Sequence, residues 1–283
     1  GSESGWRIGN SNDIEAAAKR HDVQLMFKNA DQKQENQIKA IRSFIAYRVD
    51  VIAFAPIVED GWENVLKEAQ EAGIPVLCSD RSVKLEDNSL IAGFVGSDFY
   101  QEGCRAGEFL LKKSEGQAGP VRIVEISGTL DSTPMRQRAR GFRDVLEKDS
   151  RFEIIQSISG DFLRSMGKEC MEQILKGQTD IDVLYSHNDA MTLGAIEAIE
   201  DQGLRPGKDI IIISVDGEQG AIDMLKAGKI NCVVECTPKI GDLIMNLSKS
   251  LVSGETIDRI TYTHEEVFSE FDTNLANIPL RGY

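Results

Sequence analysis

The sequence predicts an α/β protein built as two doubly wound parallel-sheet lobes, and three observations carry that expectation. Short apolar runs alternate with amphipathic stretches along nearly the whole chain, the pattern of strand, loop and helix repeated. Four of those runs stop abruptly at polar residues: PVLC before Ser79, Asp80 and Arg81; DVLYS before His187, Asn188 and Asp189; IIIISV before Asp216 and Gly217; NCVV before Glu235. The length, 283 residues, exceeds one ordinary domain and suits two. A buried parallel strand reads as a continuous apolar run, and open parallel sheets hold ligands beyond the C-terminal ends of their strands. The four polar ends therefore outline a site for a small, hydroxyl-rich molecule.

Taken in order, the first series places strands over residues 23–27, 51–54, 74–77 and 91–95, alternating with helices over 6–20, 35–47 and 61–72. Gly73 closes the third helix and Pro75 opens the next strand, the punctuation expected at a helix end. The second series runs helix 100–113, strand 122–126, helix 134–147, strand 153–158, helix 165–176, strand 183–185, helix 190–202, strand 210–215, helix 218–227 and strand 231–234. About nine strands in all divide into two sheets. No low-complexity linker separates them, so the lobes are expected to be joined by crossings within ordered structure.

Composition excludes several classes of function. The balance of 32 basic against 46 acidic residues gives a net charge of −14. Phosphate recognition relies on clustered Lys and Arg, so no nucleic-acid partner is expected, and anionic membrane surfaces are disfavoured for the same reason. The longest apolar runs are strand-length, too short to span a bilayer. Five scattered cysteines do not make a disulfide scaffold, and none of the three histidines stands at metal-ligand spacing. Buried, inert thiols and no metal or cofactor are expected. The chain contains no secretory signal, but it opens inside a motif, and a removed signal peptide is expected.

Several stretches together resemble one family: GSESGWR, DQKQENQIKAIRSF, PVLCSDRS, SGDFLRSMGKE, SHNDAMTLGAI, SVDGEQ, VVECTP and a closing GY. They occur in family order through almost the whole chain. The chain resembles the type I periplasmic sugar-binding proteins of ABC importers, the ribose-binding-like group, and within it the galactofuranose-binding proteins. The resemblance implies a first lobe of residues 1–97 plus 237–264 and a second of 98–236 plus 265–283, with three crossings near Ser97, Cys236 and His264 as the hinge. It implies a monosaccharide ligand, galactofuranose or a related furanose or pentose, delivered to the membrane subunits of an ABC permease. A monomer outside the cytoplasm is expected, either periplasmic or a cell-surface lipoprotein. In one respect the chain departs from the family, which begins with a central strand before its first binding loop. This sequence opens inside that loop at Gly1, and omission of upstream residues from it is the expectation.

Carried over residue by residue, the resemblance makes Ser4, Trp6, Arg7, Asp80, Arg81, Arg138, Asn188, Asp216 and Glu235 the ligand-binding set. Carboxylates would accept sugar hydroxyls, guanidinia would donate to sugar oxygens, and the Asn188 amide can do both. Trp6 would supply the stacking face. A single stacking face among many hydrogen-bonding groups suits a five-membered ring with outward hydroxyls. Arg136 and Arg140 read as a solvated helix face, Trp62 as packing, and Asp189 as the N-cap of the helix that follows it. The broader family places an amide one position after Glu235, where this chain has Cys236.

Three other functions use some of the same residues. Asp80, Asp216 and Glu235 could form a glycosidase acid–base pair, but Arg81 and Arg138 beside them are expected to lower their pKa values, which suits acceptors rather than a general acid. No G-x-S-x-G elbow, P-loop or strand-following G-x-G-x-x-G is present. The ligand-binding core of a lactose-repressor-type regulator shares the fold but needs an N-terminal helix-turn-helix, which this sequence lacks. A receptor that reports a sugar to a signalling partner would use the same binding chemistry.

Overall fold

The computed structural model describes residues 4–177 and 180–283, so the first three residues of GSESGWR lie outside the described part. Two parallel sheets form among the described residues. The first contains β1 (Ile52–Phe54), β2 (Val76–Ser79), β3 (Gly93–Gly96) and β9 (Ile260–Tyr262), in that spatial order. Helices α1 (Gly5–Arg20), α2 (Gln34–Tyr47), α3 (Glu63–Glu71) and α9 (Gly241–Val252) accompany it, α1 packing directly on α9.

The second sheet has the order β10-β8-β7-β6-β4-β5, with β4 (Val121–Ser127), β5 (Phe152–Ser159), β6 (Val183–Ser186), β7 (Ile211–Asp216), β8 (Cys232–Glu235) and β10 (Val267–Ser269). Every pair is parallel except β10 with β8. Two helix pairs pack tightly on opposite faces, α4 (Phe99–Lys113) with α5 (Thr133–Leu146) on one and α6 (Arg164–Gly177) with α7 (Asp189–Asp201) on the other, where α8 (Gln219–Lys226) joins them. The chain passes from one sheet to the other three times: between β3 and α4, between β8 and α9, and between β9 and β10.

Sequence pattern explains most of these elements. Residues 183–186 and 232–235 are buried on both faces, which is why they read as unbroken apolar runs. Local chemistry starts the helices: the Ser4 side chain accepts the Arg7 backbone N–H at 3.1 Å at the head of α1, and Pro134 sits in the first turn of α5. Trp62 is packing, fully buried against Phe54 with its indole N–H on the Val58 carbonyl.

The expectation of a strand over 23–27 is corrected. That stretch forms no sheet hydrogen bonds, and Leu25, Met26 and Phe27 are exposed. A strand is defined by its neighbour, and among the described residues none pairs with this one: the stretch and β1 both line a groove of about 870 Å³, with Ile41 and Phe44 of α2. Helix α9 and strands β9 and β10 escaped the sequence reading, because β9 and β10 are three residues each and carry Thr or Ser among their apolar residues.

Candidate functional site

Eight of the nine expected site residues come together. Ser4, Trp6, Arg7, Asp80, Arg81, Arg138, Asn188 and Asp216 line one cavity between the two sheets, joined by Phe99, Pro134, Phe162 and Cys236. The elements that deliver them are the head of α1, the end of β2, α5, the end of β6 and the end of β7. Trp6, Arg7, Asp80, Arg81, Arg138, Asn188 and Asp216 are each less than a tenth exposed.

Backbone conformation aims several of these groups. Asp80 (φ 64°), Phe162 (φ 63°) and Asp216 (φ 127°) all occupy the left-handed side of conformational space, which side chains other than glycine avoid. Such residues cost on the order of 1–3 kcal/mol each and persist where the surroundings over-determine them. At the ends of β2 and β7, Asp80 and Asp216 line the cavity in this conformation. The Phe162 ring lies flat against Gly128, where an added Cβ would stand 1.8 Å from the ring, so only glycine admits it.

The polar groups meet in pairs. Within the first lobe the Arg7 guanidinium donates to Asp80 and, at 3.2 Å, to Asn10 Oδ1. In the second lobe Arg138 lies between Glu102, 2.6 Å from its Nε, and Asp216, 3.6 Å from a terminal nitrogen, and donates to the His187 carbonyl at 2.6 Å. Burial works against the Arg138 charge, but Glu102 and Asp216 outweigh it and hold the guanidinium well above its usual pKa. Burial pushes the Asp216 carboxyl well up in spite of Arg138, and Glu102 up to about 8. Several carboxyls around one guanidinium do not all ionise together. The expectation that arginine neighbours lower these pKa values is therefore corrected at Asp216, where desolvation wins.

Asn188 has two tasks. Its Oδ1 accepts the Met191 backbone N–H at 3.0 Å as the N-cap of α7, and its Nδ2 donates to the Phe162 carbonyl at 3.3 Å. One amide N–H remains for a ligand oxygen. This corrects the reading of Asp189 as the cap: Asp189 is the first residue of α7, and its carboxylate instead holds the turn after β7, accepting from Gly217 N at 2.7 Å and Glu218 N at 2.6 Å.

Glu235 is the ninth residue, and it does not reach the cavity. Its carboxylate is taken by Arg281 and by the Glu266 backbone N–H at 2.9 Å. Successive side chains of an extended segment point opposite ways, so with Glu235 facing the C-terminal segment it is Cys236 that faces the cavity. Arg136 and Arg140 are surface groups, paired with Asp131 and Asp144.

Four lining residues were not singled out from sequence. Phe162 sits within SGDFLRSMGKE, a stretch that carried the family resemblance, and its ring stacks under the Arg81 guanidinium at 5.3 Å. The cavity thus has an aromatic ring besides Trp6, and the single-stacking-face argument for a five-membered ring does not hold. Phe99 packs under Arg138 at 5.2 Å, and Pro134 was visible only as a helix start. Cys236 is a buried free thiol, as are the other four cysteines. Its sulfur lies near Glu102 and Glu265, but burial keeps the thiol protonated and Arg138 balances Glu102, an arrangement that does not call for a cation.

The lobes are closed on one another. Ser82 N–H donates to Thr133 Oγ1 at 3.1 Å while that hydroxyl donates to the Ser82 carbonyl at 2.9 Å. Glu59 N–H reaches the Asp131 carbonyl at 3.1 Å. The Trp6 indole N–H donates to the Cys236 carbonyl at 2.6 Å. The free volume of about 30 Å³ holds about two waters, so entry of anything much larger requires the lobes to part.

Comparison with known proteins agrees with this geometry. Residues 1–256 match the periplasmic binding protein domain. The galactofuranose-binding protein YtfQ of Escherichia coli K12 is 41% identical over 272 residues, covering 95% of this chain and 85% of that protein. A Mycobacterium smegmatis structure in complex with β-D-fucofuranose is 44% identical with a TM-score of 0.94, covering 95% of this chain and 89% of that one. The periplasmic component of the Shewanella sp. ANA-3 arabinose ABC transporter, bound to α- and β-L-arabinofuranose, is 43% identical with a TM-score of 0.91 and the same coverages, 95% and 89%. A two-lobed α/β fold, a buried polar cavity between the lobes and a match across most of the chain establish that this protein belongs to the periplasmic binding protein family.

Proposed function

We propose that this chain is an extracytoplasmic receptor that captures a monosaccharide in furanose form between its lobes and delivers it to an ABC permease. The observation that carries the reading is the cavity itself: Arg7, Asp80 and Arg81 from one lobe face Arg138, Asn188 and Asp216 from the other, with Trp6 and Phe162 as apolar faces. Charged donors and acceptors on both sides, all buried, suit a neutral molecule covered with hydroxyls, and aromatic faces suit its C–H surfaces. No helix among the described residues is long and apolar enough to cross a membrane.

In this reading the lobes are residues 1–97 plus 237–264 and 98–236 plus 265–283, moving as a monomer about crossings at Ser97, Cys236 and His264. The Glu265 carboxylate ties these crossings together, accepting from the Ser97 hydroxyl, the Thr237 N–H at 3.0 Å and the Thr263 hydroxyl at 2.9 Å. Sugar contacts both lobes only when they are closed, so binding selects that state. The furanose assignment is supported by the ligands of the similar receptors rather than by the count of aromatic rings.

Competition decides the ligand class. Methyl β-D-galactofuranoside or methyl α-L-arabinofuranoside should bind at micromolar affinity or better, while ring-locked methyl pyranosides bind much more weakly, because a misplaced hydroxyl leaves buried groups unpaired. Equal competition by a methyl pyranoside would overturn the furanose assignment. With two tryptophans in the chain and Trp62 buried in packing, Trp6→Phe should remove most of any sugar-induced fluorescence change.

A further inference from the structure

Glu218 occupies the N-cap position of α8, yet its side chain does not cap that helix. It crosses to the other lobe, where its carboxylate accepts the Trp6 backbone N–H at 2.7 Å. Trp6 lies in the first turn of α1, where the backbone N–H groups have no partner within the helix and the helix end is partly positive. The head of α1 is therefore capped from both lobes, by Ser4 from its own and by Glu218 from the opposite one.

Three features make this a built contact. The Glu218 backbone is fixed, because Asp189 holds its N–H and that of Gly217 on one carboxylate oxygen, while the Ser214 hydroxyl donates to the other at 2.5 Å. Gly5 makes room for it: a Cβ there would stand 2.9 Å from Glu218 Oε2. The contact also joins the two walls of the cavity, since Trp6 and Arg7 line it from α1 and Asp216 lines it from the turn that ends at Glu218. Glu218 itself is not among the lining residues.

We propose that Glu218 is a positioning residue that docks the head of α1 onto the second lobe as the lobes close, and that it thereby sets how long a sugar stays bound. In an open form the Trp6 N–H and the Glu218 carboxylate would both be satisfied by water, so the contact stabilises the closed state selectively. Removing it should leave encounter untouched and accelerate release. The inference rests on the reading of the cavity as a sugar site.

The test is stopped-flow fluorescence of wild type, Glu218→Ala and Glu218→Gln with methyl β-D-galactofuranoside, alongside thermal unfolding of each ligand-free protein. Glu218→Ala should raise the dissociation rate about tenfold, the lower end expected for a hydrogen bond to a charged group, with association within about twofold of wild type. Glu218→Gln keeps an acceptor oxygen and should recover part of the loss. Unchanged dissociation in Glu218→Ala overturns the proposal. So does a parallel fall in association rate and ligand-free melting temperature with no faster release, which would mark a purely structural residue. Should Glu218→Ala fail to fold, Gly5→Ala removes the approach from the α1 side and should give the same faster release. If wild type binds no furanoside, the ligand assignment fails on its own, and the rates are read with whichever monosaccharide raises its melting temperature most.

Discussion

The two lobes use the same strand–helix alternation, but among the described residues only the second pairs every strand that its sequence predicts. In the second, β6 and β7 each have a hydrogen-bonded neighbour on both sides, and every residue of β6 is buried. In the first, β1 is an edge, and beyond it residues 23–27 lie unpaired across the groove. Charge divides in a related way. The second lobe buries a network of Glu102, Arg138, Asp216, His187 and Glu125, whereas the first brings the Arg7–Asp80 pair. The difference teaches that apolar content alone does not make a strand. Leu25 and Phe27 are as apolar as Leu184, but among the described residues they have no strand partner and are exposed.

The largest expected effect sharpens this contrast directly. Leu184→Ala in β6 should lower unfolding stability by about 2–5 kcal/mol, the usual cost of emptying a packed site. Leu25→Ala, at an exposed position, should cost less than about 1 kcal/mol. Chemical denaturation of both variants checks the pair, and similar losses would mean that the 23–27 stretch is packed in solution.

Next comes the buried charge of the second lobe. The Glu102 carboxyl is raised by burial, against Arg138, to about 8. A carboxyl with a folded pKa above its unfolded value of about 4.3 favours folding while protonated. That contribution is fully present below the unfolded pKa and is lost as pH rises through the folded value. From pH 4.5 to 8 this group should therefore withdraw at least about 1.4 kcal/mol, the equivalent of one pKa unit. Glu102→Gln should flatten that part of the pH profile, and an unchanged slope would show that Glu102 stays ionised beside Arg138 throughout.

The smallest effect is dynamic. Backbone amides of residues 22–30, which have few protein partners, should exchange with solvent soonest, and those of β6 and β7 last. Hydrogen-exchange mass spectrometry resolves the two regions. Equal protection would break the comparison.

These contrasts also explain what the sequence made legible. Asp80, Asn188 and Asp216 could be read because each ends a run of continuous apolar residues, and parallel strands place their C-terminal ends at the site. Arg138 was found only through family resemblance, since a basic helix turn with Arg136 and Arg140 does not reveal which arginine is buried. Phe162 was hidden because its reach depends on a left-handed backbone and on the glycine beneath its ring at Gly128, neither of which has a periodic signature. Glu235 misled because the reading stopped at the end of the strand, while the carboxylate there is taken by Arg281, 46 positions away. Glu218 was placed inside a helix, and its contact with Trp6 spans 212 positions that local pattern cannot connect.

The central claim is that both lobes grip one sugar. Calorimetric titration of methyl β-D-galactofuranoside into wild type, Asp80→Ala and Asp216→Ala tests it most directly, one variant from each lobe. Each loss removes hydrogen bonds to the sugar and takes a carboxyl partner from a buried arginine, worth about 1–3 kcal/mol, so affinity should fall about five- to hundredfold in both variants. Wild-type affinity in either variant would show that its lobe does not hold the sugar and would contradict the account.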